Sequence, residues 1–127
     1  MRASKKAKQL VFDRAQGRCE ICGVYPNEYS FHHRLTLGMG GSRRADLNGP
    51  ANLLFLCGSG VTGCHGWVTG HFTQSQATGW VVSRWADPRE APVLVFLRQP
   101  GAVLLDDAGN YVTESKPSWE HSPDQSP

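Results

Sequence analysis

The stretch Cys57-Gly-Ser-Gly-Val-Thr-Gly-Cys64-His65-Gly66-Trp67 sets two thiols and an imidazole within nine residues, and half of the insertion between the thiols is glycine. The apolar run Leu53-Leu54-Phe55-Leu56 leads into it and reads as a short strand. A helix is expected to begin near Cys64 or His65 and to run beyond Gln76, despite Gly66 and Gly70. Working upstream, residues 30–37 read as a second strand, which should present His32 and His33 on opposite faces. Further upstream, Cys19-Glu-Ile-Cys22 followed by Gly23 has the form of a knuckle, a tight turn that aims two thiols at one point.

The four cysteines are spaced by two, 34 and six residues. Zn²⁺ favours tetrahedral thiolate ligation, and closed four-thiolate sites are structural. Cys19, Cys22, Cys57 and Cys64 are therefore read as the ligands of one structural zinc, with Gly58, Gly60 and Gly63 letting the wide second pair loop out and return. The variant has His65 in place of Cys64 as the fourth ligand. Buried free thiols or a redox pair at Cys19 and Cys22 are the other readings. A redox pair would not need Cys57 and Cys64, and no strand–helix context surrounds it.

At 127 residues, with 14 Gly and 8 Pro, one small domain with a modest core is expected, for which a metal staple helps. The net charge is only +2, but the distribution is uneven. Residues 1–50 carry nine basic side chains (Arg2, Lys5, Lys6, Lys8, Arg14, Arg18, Arg34, Arg43, Arg44) against four acids. That basic half also carries Cys19, Cys22, His32 and His33, which suits a polyanion such as nucleic acid; a solvated basic face is the plainer alternative. No stretch approaches the ~18 apolar residues of a membrane span, and no signal-peptide core follows the Lys-rich start. A soluble, cytoplasmic chain without membrane contact is expected.

Elsewhere, residues 4–16 read as a helix with Ser4 as N-cap and Gly17 as a stop, and its lysines crowd the first turns, against the helix dipole. Residues 38–50 read as a Gly-rich basic loop holding Arg43 and Arg44. Residues 80–84, 93–97 and 103–105 read as strands, and 103–112 as a hairpin turning at 106–110. Residues 113–127 lack apolar patterning and are expected to be disordered.

Cys19-x2-Cys22, His32-His33, Asn52-Leu53, Leu56-Cys57 and Cys64-His65 occur in an order that resembles the HNH endonuclease family, in its small bacteriophage and prophage type with a four-cysteine zinc. The resemblance covers about residues 15–85. It implies an α+β chain with a ββα-metal (His-Me finger) core and zinc knuckle at about 15–78, an N-terminal helix, and a small β extension at 79–112, all in one domain. It also implies roles. His32 and His65 would ligate a catalytic divalent cation (Mg²⁺, Mn²⁺ or Ni²⁺), His33 would be the general base, and Asn52 would pin the loop that orients the base. Arg34, Arg43 and Arg44, beside or within the loop joining the strands, would hold DNA phosphates without reading sequence. His32 stands where Asp is commoner, which softens the cation site. Thr69 stands where some members carry a third histidine, and His71 is read as a surface residue.

The activity implied is metal-dependent DNA cleavage of low sequence specificity, as a nick or a double-strand cut, by a monomer or a dimer in a bacterial host cell. Phage packaging (terminase) proteins are the partners such relatives imply. The alternative is a non-catalytic zinc module that binds nucleic acid or protein, although such a module needs none of His32, His33 and His65.

Overall fold

A computed structural model describes residues 3–35 and 48–113. Arg43, Arg44, most of the Gly-rich loop and the tail from residue 114 lie outside the described residues.

The fold is built around one short strand covered on both faces. Strand β2 (Leu53–Cys57) pairs antiparallel with β1 (Tyr29–His33), with Phe31 opposite Phe55 and His32 opposite Leu54. Leu53, Leu54, Phe55 and Leu56 are all inaccessible to solvent, which is why this run is uniformly apolar rather than alternating. Leu53 and Phe55 pack against Ala7, Val11 and Ala15 of helix α1 (Lys5–Ala15). Leu54 and Leu56 pack on the other face with Val68, Val81, Val93, Val95, Val103 and Leu105. As expected, the Ser4 side chain caps α1 by accepting from the Ala7 N–H at 3.1 Å. Gln16, in the left-handed region at φ 57°, ends the helix.

Past the thiols the expected single helix is two. Helix α2 (Gly63–Gly70) stops at His71, whose backbone leaves the helical region at ψ 66°, and α3 (Phe72–Ala77) follows as a separate helix. The expected strands at 80–84 and 93–97 are also corrected. Val82 makes a single bridge to Leu35 and Val93 one to Val103, while Phe96–Arg98 forms a 3-10 turn. These runs are apolar because they fill the core under β2, not because they pair. The hairpin is present as β3 (Val103–Leu105) and β4 (Tyr111–Thr113), a second two-stranded antiparallel sheet, so Thr113 lies in a strand rather than a tail. No helix of the described residues is long and apolar enough to cross a membrane.

Two buried arginines tie the layers together. Arg14 makes a two-pronged ion pair with buried Glu20, both contacts at 2.8 Å, and donates to the carbonyls of Pro50 and Leu53. Glu20 also accepts from Tyr111 Oη at 2.6 Å and from the Phe55 N–H at 2.9 Å, which joins α1, β2 and β4. Arg34 is fully buried, and its guanidinium donates to the carbonyls of Gly79, Ala51, Pro88 and Ala91 at 2.8–2.9 Å. This overturns the expectation that Arg34 holds DNA phosphate. Its donors are spent on main-chain carbonyls, and burial lowers its pKa to about 10, so it stays charged inside the fold.

Candidate metal centres

Cys19 and Cys22 leave the turn after α1, and Cys57 and Cys64 flank a loop that doubles back from β2 into α2. That return needs left-handed backbone at Gly58 (φ +87°) and Gly63 (φ +61°), where a Cβ would strike the loop's own main chain. The glycines of the wide insertion thus bring its two thiols together; the Cys64 N–H donates to Cys57 Sγ at 3.3 Å.

The four sulfur atoms lie within 4.8 Å of one another, and Cys22 and Cys57 are 3.9 Å apart. Tetrahedral zinc at Zn–S ~2.3 Å requires S···S of roughly 3.8 Å, so the four thiols are close enough to bind a metal such as zinc. Burial opposes ionisation of Cys19, yet main-chain N–H groups of Cys22, Cys57 and Ile21 hold its thiolate and bring its pKa below the ordinary value. Burial, then the charge of Cys19, push Cys64 upward. Four adjacent thiols cannot all ionise unaided, which is the state a cation at their centre relieves. His65 is not in this group.

Beside it, the three histidines are held by bonds that set their tautomers. His32 Nε2 lies 2.7 Å from the Trp80 carbonyl oxygen. A carbonyl only accepts, so neutral His32 carries its proton on Nε2 and its lone pair on Nδ1. Ser30 Oγ donates to the Gly58 carbonyl at 2.8 Å and must therefore accept from His65 Nδ1 at 2.6 Å. That leaves the His65 lone pair on Nε2. The two rings are 5.1 Å apart at 64°. Burial lowers His32 to about 4, helped by His65, His33 and Arg34 and opposed by the Trp80 carbonyl. Burial, then the His33 charge, lower His65 as well. Both are neutral at pH 7 and each keeps one free nitrogen, as a metal ligand requires.

His33 occupies the last position of β1 and is half-buried. Its Nε2 meets Asn48 Oδ1 at 3.1 Å, which places its lone pair on Nδ1. Asn52 is fully buried three residues beyond Gly49; its Oδ1 accepts from the Leu35 N–H at 2.8 Å and its Nδ2 donates to the Leu35 carbonyl at 3.3 Å. Its own carbonyl accepts from the Arg34 N–H at 2.8 Å, so Asn52 anchors the two residues that follow His33. His71 stands apart, donating to the Trp67 carbonyl and stacked on the Trp67 ring at 4.0 Å. Trp67 is 42% exposed.

Ser30, Asn48 and the Trp80 carbonyl were not singled out from the sequence. Ser30 had a usable signal, since it lies two residues before His32 on the same strand face. Asn48 and Trp80 carry none. No family model matches this chain, and no curated protein or solved structure is a match for it.

Proposed function

We propose that this protein is a metal-dependent DNA endonuclease of the HNH type, with β1, β2 and α2 as its ββα-metal finger and the four thiols as its structural zinc site. The observation that supports the reading is the approach of the His32 and His65 rings to 5.1 Å, each with one nitrogen held by a protein oxygen so that His32 Nδ1 and His65 Nε2 keep their lone pairs. A zinc module has no use for such tautomers.

His32 and His65 would hold the catalytic cation, which supplies charge neutralisation at the phosphate and at the departing 3′-oxygen. Two imidazoles form a softer donor set than the usual carboxylate and imidazole, so Mn²⁺ or Ni²⁺ should serve at least as well as Mg²⁺. His33 Nδ1 removes a proton from water as the water oxygen bonds to phosphorus. The P–O3′ bond breaks, the 3′-oxygen takes a proton from solvent, and the ends are 5′-phosphate and 3′-hydroxyl. Asn48 Oδ1 holds the imidazolium that forms, and Asn52 fixes the backbone beneath it.

The test is nicking of supercoiled plasmid with Mg²⁺, Mn²⁺ or Ni²⁺, comparing the wild type with His33→Ala. The variant should lose about 10²–10⁴-fold in rate with an unchanged melting temperature. Equal cleavage by both would remove His33 from the base role. Cleavage by neither, at one zinc per chain, would return the protein to the reading as a zinc module that binds nucleic acid or protein.

A further inference from the structure

A second surface, away from the cysteines, combines positive charge with open aromatic rings. A groove of about 320 Å³ runs between α1 and β1, lined by Lys5, Lys8, Gln9, Phe12, Tyr29 and Phe31. Behind its lining rings lies the buried Phe55, against which Phe12, Phe31 and Tyr29 pack at 5.2, 5.5 and 4.9 Å between centroids. Phe12 nevertheless leaves 39% and Tyr29 51% of its surface open. Lys8 Nζ sits 5.7 Å above the Phe31 ring. The first turn of α1 contains no acid, and among the described residues neither Lys5 nor Lys8 has a carboxylate partner. Two lysines one helical turn apart near the positive end of a helix dipole repel each other and the dipole. An anionic ligand lying over the groove relieves both repulsions.

We infer that this groove binds single-stranded nucleic acid, with nucleobases stacking on Tyr29, Phe12 and Phe31 and with Lys5 and Lys8 holding the adjoining phosphates. The inference rests on the nucleic-acid reading of the protein and adds the form of strand it engages. Charge alone would accept any polyanion. The aromatic faces require a ligand that brings flat rings at short intervals along an anionic backbone, as an unpaired strand does. Bases in a duplex are already stacked and would have to be unpaired first. Tyr29, Phe31 and His33 alternate along β1 on one face, each step of two residues being about 7 Å. A strand following that face from the groove would therefore reach His33, which places the aromatic groove on the approach to the base.

The experiment is fluorescence anisotropy with the zinc-loaded full chain, using labelled oligodeoxythymidylate, oligouridylate and a duplex of equal length over a salt series. The wild type should prefer the single strands, and the better of the two oligonucleotides identifies the sugar. Tyr29→Leu keeps an apolar contact with Phe55 but removes the π-face, and should weaken single-strand binding about tenfold with little change for duplex. Lys5→Ala with Lys8→Ala should reduce the slope of log K against log salt by roughly 1.4. Binding unaltered in Tyr29→Leu, duplex bound as tightly as single strand, or polyglutamate competing as well as the oligonucleotide would each overturn the groove. Because binding is measured apart from plasmid cleavage, its failure is separable from failure of the nuclease reading. Groove-dependent binding without cleavage keeps the inference and removes the enzyme; cleavage without it does the reverse.

Discussion

The thiol group and the imidazole group meet at neighbouring residues, Cys64 and His65, but they are organised by opposite means. The thiols are aimed by local backbone: a turn after α1, a glycine loop after β2, and main-chain N–H groups directed at sulfur. The imidazoles are aimed from a distance. His32 is set by Trp80, 48 residues on; His65 by Ser30, 35 residues back; His33 by Asn48, 15 residues on. Each thiol pair can therefore form from its own turn or loop, the two pairs being joined through β2 (Glu20 N–H to the Phe55 carbonyl at 2.8 Å), whereas the imidazole geometry exists only once the whole fold is in place. The difference implies an order of dependence: loss of the thiols should take the histidines with it, and loss of a histidine should leave the thiols intact.

The largest effect should come from testing that order. Cys22→Ala opens the thiol group and leaves three thiols of mismatched charge in a small core. Zinc content should fall, stability should drop by several kcal/mol, and the melting temperature should fall by about 15 °C or more. An unaltered melting temperature and zinc content would mean that the thiols are not a structural metal site, and the comparison would collapse.

Next in size is Arg34. The buried guanidinium donates to four main-chain carbonyls, and it ties residues 51, 79, 88 and 91 to the residue that follows His33. Arg34→Met would strand those acceptors, at a cost of about 3–5 kcal/mol in urea unfolding. Arg34→Lys should recover little, since an ammonium cannot span the same fork. A near-neutral Arg34→Met would show that the carbonyls find water, and that the histidine half does not depend on Arg34.

A smaller effect is the acid limb of stability. His32 has its folded pKa lowered to about 4 from 6.5 by burial. Below pH 6.5 the unfolded chain takes up the proton first, so stability present above pH 6.5 is lost as pH falls towards 4. The full loss is about 3 kcal/mol from this one group. Protonation of thiolates around the proposed zinc would also weaken the fold in acid, so the check is a difference: wild type minus His32→Gln, by urea unfolding between pH 7 and 4. Parallel curves would mean that His32 is not buried neutral.

How much of this was legible in the chain follows the same division. Local signals carried the Ser4 cap, the apolar strand before Cys57, the glycine loop and the 103–112 hairpin, because each depends on neighbours in sequence. Arg34 defeated the reading because an arginine next to His33 looks like a phosphate contact until four carbonyls from other segments close around it. The strands expected at 80–84 and 93–97 failed for a related reason. An apolar run without strict alternation marks burial, and only the tertiary arrangement decides whether it also pairs. The helix break at His71 had a local cue in Gly70, although Gln74 and Gln76 beyond it are themselves good helix formers.

The finest test concerns Asn48, the partner of His33 that sequence could not nominate. If Asn48 Oδ1 both orients the ring and steadies the imidazolium, Asn48→Ala should slow plasmid nicking about ten- to a hundredfold while the melting temperature and zinc content stay at wild-type values. Asn48→Asp adds a charge where the amide oxygen stood, favours protonated His33, and should move the acidic limb of the pH–rate profile to higher pH. That second readout separates positioning from mere packing, because a structural role at Asn48 would lower the rate without moving the limb. Nicking at the wild-type rate in Asn48→Ala would show that His33 needs no distant partner, and the contrast between locally held thiols and remotely held imidazoles would then rest on His32 and His65 alone.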